Sequence, residues 1–313
     1  MNCDPNFLLN PFMPKPEFML IGGAKCGSTS FSKYLSAHPQ VKDCQVKEPN
    51  FWTWKRLSRE QYQSLFVNSS PAVSPKPDQM IGGEYSTSSL LHPIVPRRVC
   101  AALPNIKILV LLRNPIDRAY SHFKMMQRLG SEPVRSFDEI VLKEIEEIPD
   151  LLSAHQLGFS DSNFNTSLHR SRPDGSAISI AKHDQAWTPL ALKSEQELFQ
   201  FYFCSYVFRS IYHDQLWRWL QHLPREQIMI VQAEKFFSNR KKIMKKAVNF
   251  LGLKPYKFKA CEIKHTWGGE VKNTKAPGSY EPMKDETREL LKDFFTPYNK
   301  KLFSLIGEDY NWD

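Results

Sequence analysis

Residues 18–35 read FMLIGGAKCGSTSFSKYL, and the fold follows from how this stretch is parsed. Residues 17–23 form an apolar run bounded by Pro16 and Gly22-Gly23, which predicts a buried strand of a parallel sheet. Ser28 and Thr29 are cap-forming residues, and they predict a helix running from there to near His38-Pro39. A strand that turns through glycines into a helix N-terminus suits an anion. The first-turn amides have no partner inside the helix, and the helix dipole adds positive potential. The turn is not the common triphosphate loop, which needs Gly, four residues, then Gly-Lys-Ser/Thr. Gly22 and Gly27 keep that spacing, but Ser28 stands in the lysine's place and the lysine, Lys25, lies inside the loop.

Further elements follow outward from this unit. QVKEPNFW predicts a short strand leaving through Pro49, which biases Glu48 toward extended backbone. SREQYQSLF predicts a helix, MIGGEYS a short strand and IVPRRVCAAL a helix. KILVLLRNP predicts a buried strand with a charged exit at Arg113, and Pro115 suits the first turn of the next helix. SFDEIVLKEIEEI reads as an amphipathic acidic helix, and SDSNFNTSLHRSRPDGSAIS as a polar loop. Near the end, FRSIYHDQLWRWLQHLP predicts a helix, QIMIVQAEKF a strand, and KDETRELLKDFFTPYNKKLFSLIG a closing helix kinked near Pro297. Strands alternating with helices imply an α/β fold: a central, mostly parallel sheet flanked by helices. We expect one domain over residues 1–313, with residues 1–16 as an N-terminal extension and 131–190 as a variable insert and candidate lid.

The chain has 313 residues, 41% hydrophobic and 24% charged, with a net charge of +9. That length supports a sizeable core, and the positive excess suits an anionic ligand. No Lys/Arg run is interleaved with aromatics, which argues against nucleic acid. In the densest basic patch, NRKKIMKKAVNF, the apolar residues Ile243, Met244, Ala247, Val248 and Phe250 fall at helical spacing, so the charges form the solvated face of a packed helix. The six cysteines show neither CxxC pairs nor metal-ligand spacing, and no metal is expected. No apolar run is long enough to span a bilayer, and the N-terminus lacks a signal pattern. These features predict a cytoplasmic protein. The alternative is a Golgi-lumen enzyme separated from its anchor.

Two anion-suited sites fall at strand exits. One is the loop, with Lys25, Cys26, Gly27, Ser28, Thr29 and Ser30. The other is LLRNPIDRAYSHF, where Arg113 ends a buried strand and Ser121 follows eight residues on. Ligands of open α/β sheets bind at such carboxyl ends, and arginine clamps phosphate in bidentate fashion. Together they point to a nucleotide with phosphate at two separate positions. GGAKCGSTS, KEPNFW and LLRNPIDRAYSHF, in that order, resemble the sulfotransferases that use 3′-phosphoadenosine 5′-phosphosulfate. The likeness is to the carbohydrate type, especially the GalNAc-4-sulfate 6-O-sulfotransferase and heparan sulfotransferase branches.

The resemblance implies that the loop, with Lys25, binds the phosphosulfate and that Arg113 and Ser121 take the 3′-phosphate. It assigns Glu48 as general base, and Lys275 and Gly278, in NTKAPGSY, to a loop over the nucleotide. The departures are the residues around that loop and its missing cysteine pair, of which Cys261 alone remains. Glu84 and Tyr85, at the exit of GGEYS, are candidates for the acceptor site; His122 competes with Glu48 as base, although its helical position favours a packing role. The implied reaction moves a sulfuryl group to a hydroxyl or amine of a glycan or a small polar metabolite, leaving adenosine 3′,5′-bisphosphate. Two other readings are weighed. A nucleotide kinase or NTPase would need the missing lysine after Gly27 and an acidic magnesium ligand. A non-catalytic binder of sulfated or phosphorylated glycans would need only the basic surface.

Overall fold

The computed structural model describes residues 9–54, 57–66, 80–132, 135–157, 167–171, 177–181, 204–258 and 282–312. Contacts divide the chain into two compact units. One comprises Met1–Thr53, Leu57–Arg113 and Leu216–Thr274, the other Trp54–Arg56, Asn114–Gln215 and Lys275–Asp313.

The first unit holds a five-stranded, wholly parallel sheet. Its strands are β1 (Phe18–Gly22), β2 (Val41–Asp43), β3 (Ile81–Tyr85), β4 (Lys107–Leu112) and β7 (Ile228–Gln232), in the order β2-β3-β1-β4-β7. Every residue of β1 is buried, as are the last five of β4. This explains their unbroken apolar sequences, because a central parallel strand is covered on both faces. β1 lies between β3 and β4, with Phe18 opposite Gly83 on one side and Gly22 opposite Leu111 on the other. The chain leaves β1 toward β2 and β3, and leaves β4 toward β7. The carboxyl ends of β1 and β4 therefore diverge at the topological switch point, where open α/β sheets take ligands.

Helices complete this unit: α1 (Ser28–Ser36), α2 (Phe51–Trp54), α3 (Arg59–Ser64), α4 (Ser88–Leu91) and α5 (Val95–Ala102). Ser58 and Gln61 close a capping box on α3. The basic patch forms α10 (Arg240–Leu251), which buries Ile243, Met244, Ala247, Val248 and Leu251. Its lysines face outward, as the helical spacing predicts. The preceding short helix, α9 (Ala233–Ser238), buries Phe236 against Phe31 of α1.

The second unit is built on α6 (Pro115–Arg128), α7 (Phe137–Leu157) and α11 (Asp285–Ile306). Asn114 Oδ1 accepts from the Ile116 and Asp117 amides and caps α6, with Pro115 at its first turn. Arg118, fully buried, donates to Ser210 Oγ at 2.6 Å and to the Tyr206 carbonyl. Glu144 of α7 accepts from three successive amides, those of Tyr206, Val207 and Phe208, at 2.7, 2.8 and 3.0 Å. α11 docks through Arg288–Asp117 at 2.8 Å and Lys284–Asp138 at 2.6 Å. The helix α8 (Tyr212–Leu220) starts in this unit, where Tyr212 packs on Trp312.

The structure departs from the sequence-based reading in several stretches: in QIMIVQAEKF, expected as a strand, only Ile228–Gln232 is strand and Ala233–Ser238 is helix. The polar loop expected over residues 160–179 overlaps β5 (Ser167–Ser171) and β6 (Ala177–Ala181), paired antiparallel. Polar composition hid the strands, yet Asp174-Gly175 between them is a hairpin signal. Another is QVKEPNFW. The strand β2 stops at Asp43, residues 45–48 bend, and α2 starts at Phe51. Glu48 is thus not on a strand, nor is it extended: its φ is +55°.

Candidate functional site

The β1 exit is shaped by two glycines. Gly22 has φ +143°, and a Cβ there would overlap the Leu111 carbonyl and lie 2.8 Å from the Leu111 nitrogen. Only glycine lets the loop leave β1 against β4, where Gly23 donates to the Leu111 carbonyl at 3.2 Å. Cys26 donates its amide to the Gly23 carbonyl at 3.1 Å and tightens the turn. Its side chain is fully buried, in the same core cluster as Phe31 and Leu111. Cys26, expected among the ligand-binding residues, thus directs its thiol into the core, where packing claims it.

Gly27 stands at the N-cap of α1 with φ +89°, and no side chain caps the helix. This corrects the expectation that Ser28 and Thr29 would cap it, since the left-handed glycine makes the entry by itself. The first turn of α1 carries no acidic residue. Ser28 and Thr29 are half-buried and Ser30 is exposed. Phe237 borders the turn, its ring 2.7 Å from where a Cβ on Gly27 would stand.

Arg113 follows β4 and is half-buried. Its Nη1 donates to the Lys25 carbonyl at 3.2 Å, so the two anion-suited motifs meet at the switch point. Lys25 itself holds φ +74°.

Glu48 approaches from the segment after β2. Its amide donates to the Tyr85 carbonyl at 3.0 Å. Its Oε2 accepts from the Thr87 amide at 2.7 Å and its Oε1 from the Thr87 hydroxyl at 3.1 Å. The carboxylate is thereby held beyond the end of β3. The adjacent residue, Lys47, donates to Thr29 Oγ1 at 2.6 Å. This link between KEPNFW and the loop was missed in the sequence, although Lys47 lies in the quoted motif.

Behind Glu48, Trp52 Nε1 donates to Glu84 Oε2 at 3.0 Å, and the Trp52 carbonyl accepts from Arg98 at 2.7 Å. Glu84 is fully buried and also accepts from the Tyr62 and Ser86 hydroxyls. Burial raises its carboxyl above the usual range, against the lowering effect of those three donors. Tyr85 is buried too, its hydroxyl donating to Asp43 at 2.6 Å. Both were expected as acceptor-site candidates. Their side chains are instead consumed in joining β3 to its neighbours.

In the second unit, His122 is buried and packs edge-on against Tyr206, which gives it a packing role rather than that of a base. Ser121 lies on α6, half-buried. Lys275 and Gly278 lie outside the described residues.

Comparison with known proteins agrees with this geometry. A family model for the sulfotransferase domain matches residues 15–296. The chain is similar to the membrane-associated sulfotransferase kil1 of Dictyostelium discoideum, 26% identical over 95% of this chain and 66% of that protein. It is also similar to carbohydrate sulfotransferase 15 of Rattus norvegicus, 24% identical over 94% of this chain and 54% of that one. The chain therefore spans between half and two-thirds of the length of these relatives. A crystal structure of a sulfotransferase from Alicyclobacillus acidocaldarius shares the fold, with TM-score 0.62 and 24% identity over 95% of this chain and 98% of that chain.

The cytoplasmic expectation is overturned by these relatives, one of which is itself membrane-associated. It had rested on the missing signal pattern and apolar span. Among the described residues no helix is long and apolar enough to cross a membrane. The kinase reading falls with the family match. Spanning nearly the whole sheet-bearing chain, that match makes the protein a member of the sulfotransferase domain family, enzymes that transfer sulfuryl groups.

Proposed function

We propose that the protein moves a sulfuryl group from 3′-phosphoadenosine 5′-phosphosulfate to a hydroxyl or amine of a glycan, outside the cytoplasm. The observation that carries this reading is backbone strain. Four non-glycine residues among those described have positive φ: Lys25, Glu48, Asn50 and Asn311. Asparagine visits this region readily, whereas lysine and glutamate do so at a cost of about 1–2 kcal/mol. The two strained residues are the cation and the carboxylate that the chemistry requires, and such strain clusters at functional sites.

The residues fit the donor. The amides opening α1, with hydroxyls on Ser28, Thr29 and Ser30 and no acidic neighbour, suit its 5′-phosphosulfate. Arg113 suits its 3′-phosphate, with Ser121 as a further candidate. When bound, the donor supplies an activated sulfuryl group on a phosphate leaving group. Lys25 neutralises charge on the bridging oxygen, and Glu48 takes the acceptor's proton. Catalysis here is positioning and charge stabilisation, as in phosphoryl transfer. A glycan acceptor is supported by the relative named as a carbohydrate sulfotransferase. Both compact units are read as parts of one sulfotransferase domain, because the family match runs through both.

Thermal shift tests the donor site. At a hundredfold excess over its Kd, adenosine 3′,5′-bisphosphate stabilises the protein by about 2.7 kcal/mol, and adenosine 5′-monophosphate at the same concentration does much less. Equal shifts refute the two-phosphate site, and no shift with either refutes the donor assignment. Labelled sulfuryl transfer to a panel of glycans and small metabolites then identifies the acceptor.

A further inference from the structure

Thr87 occupies the position just before α4, where a threonine hydroxyl ordinarily caps its own helix, yet it makes no side-chain cap bond there. Its hydroxyl instead donates to Glu48 Oε1 at 3.1 Å, while its amide donates to Glu48 Oε2 at 2.7 Å. One residue thus grips both oxygens of a carboxylate 39 positions away in the chain. The segment that carries Glu48 is fixed from the same side. The Glu48 amide donates to the Tyr85 carbonyl at 3.0 Å, and Ser88 Oγ donates to Asn50 Oδ1. Asn50 Nδ2 in turn donates to the Glu48 carbonyl at 2.8 Å. Glu48 and Asn50 flank Pro49 with φ of +55° and +51°, a backbone that persists only where contacts over-determine it. These contacts converge on the orientation of one carboxylate, and α4 goes without its threonine cap.

We propose that Thr87 is a positioning residue for sulfuryl transfer, aiming the Glu48 carboxylate at the acceptor's proton. The inference rests on the reading of Glu48 as base and adds the residue that orients it. An ionised carboxylate offers about four lone-pair sites and Thr87 fills two of them, so the grip is compatible with taking a proton. A carboxylate free to rotate presents those sites in many directions, whereas one held at both oxygens presents them in one. Misplacement by about 1 Å costs on the order of 10²-fold in rate. During transfer the acceptor's oxygen or nitrogen forms its bond to sulfur and the bond from sulfur to the bridging oxygen breaks. The electron pair leaves on the 5′-phosphate, and the acceptor's proton passes to Glu48. Thr87 exchanges no proton and acts through Glu48. The charged groups that interact with Glu48 include Lys47, on its own segment, and Glu84, from β3. The helices α2 and α4 contain no charged residue.

Thr87→Val removes the hydroxyl while keeping the shape and the amide, and Thr87→Ser restores the hydroxyl. The Glu48 carboxyl is titrated by carbon-13 NMR of glutamate-labelled protein, its signal assigned by its loss in Glu48→Gln. Turnover is followed as labelled sulfuryl transfer to a mixture of chondroitin and heparan chains. A hydrogen bond to the ionised form favours that form, so in Thr87→Val the Glu48 carboxyl should titrate at higher pH. The acid limb of the pH–rate profile should move up with it. Turnover should fall roughly 10–100-fold, the scale of one hydrogen bond to a charged group, with affinity for adenosine 3′,5′-bisphosphate unchanged. Thr87→Ser should recover most of the loss. In a Glu48→Gln background Thr87→Val should cost less than about threefold more, because the two residues act as a unit. Should the valine variant misfold, Thr87→Ala gives the same readings. An unchanged carboxyl titration, or a turnover loss as large in the Glu48→Gln background, makes Thr87 a structural clip and overturns the inference. A Glu48→Gln enzyme within a few-fold of wild type removes the base reading, and this inference with it. If the wild type sulfates neither chain, the acceptor reading fails and the carboxyl titration alone decides.

Discussion

Gly22→Ala and Gly27→Ala are two methyl additions, five residues apart, with very different expected costs. At Gly22 the φ of +143° lies where side chains are rarely tolerated, worth about 1–3 kcal/mol. The new methyl also overlaps the backbone of Leu111, which is fully buried in β4 and paired to β1 on one side and β7 on the other. That backbone has nowhere to go. Opening the β1–β4 contact forfeits the Gly23–Leu111 hydrogen bond, about 0.5–1.5 kcal/mol, and overpacking adds about 1–3 kcal/mol. Together these give about 2.5–7.5 kcal/mol, a large share of the roughly 5–15 kcal/mol that holds a domain folded. At Gly27 the φ of +89° costs about 1–2 kcal/mol. The atom in the way is the far edge of the Phe237 ring, a side chain 41% exposed and able to turn aside. Urea unfolding followed by tryptophan fluorescence and circular dichroism compares the two. Gly22→Ala should be poorly soluble or show a midpoint far below wild type, and Gly27→Ala a modest shift that Phe237→Ala leaves nearly unchanged. Equal costs at the two positions refute the argument that a fixed backbone, and not glycine's freedom alone, sets the penalty.

Glu48→Gln should lower turnover by about 10²–10⁴-fold while the affinity for adenosine 3′,5′-bisphosphate, measured by calorimetry, barely changes; a variant within a few-fold of wild type removes Glu48 as base. Arg113→Ala should weaken the bisphosphate by about 1.5–3 kcal/mol and adenosine 5′-monophosphate much less, so an equal loss for both contradicts the 3′-phosphate role. Lys25→Ala should abolish most single-turnover transfer while circular dichroism stays native, and unchanged transfer makes Lys25 a bystander. Glu144 carries a pH dependence: burial raises its carboxyl from 4.5 to about 7, so its contribution to stability is full below about 4.5 and is lost as pH rises through 7. Melting curves from pH 5 to 8 should therefore show Glu144→Gln gaining on wild type by up to about 3 kcal/mol, and parallel curves contradict the assignment.

The sequence by itself determined the sheet's central strands and the anion-binding loop. Phe18–Gly22 and Ile108–Leu112 are apolar throughout because both their faces are covered, and that signal is local. Gly22, Lys25 and Gly27 were legible for the same reason: a glycine turn into a helix is written in consecutive residues. Strand order was not, because which strands become neighbours depends on crossovers between distant segments. Only the tertiary structure brought the Lys25 carbonyl to Arg113, 88 residues away, and Lys47 to Thr29. It also decided the fates of Glu84 and Tyr85, polar residues at plausible site positions that are buried against partners no local pattern names. For His122 it supplied only the packing partner, Tyr206, since the helical position already favoured packing. The left-handed backbone of Glu48 ran against the bias of Pro49, since local preference of a kcal/mol or so yields where surrounding contacts over-determine the chain. Here the Tyr85 carbonyl takes the Glu48 amide and Thr87 takes its carboxylate.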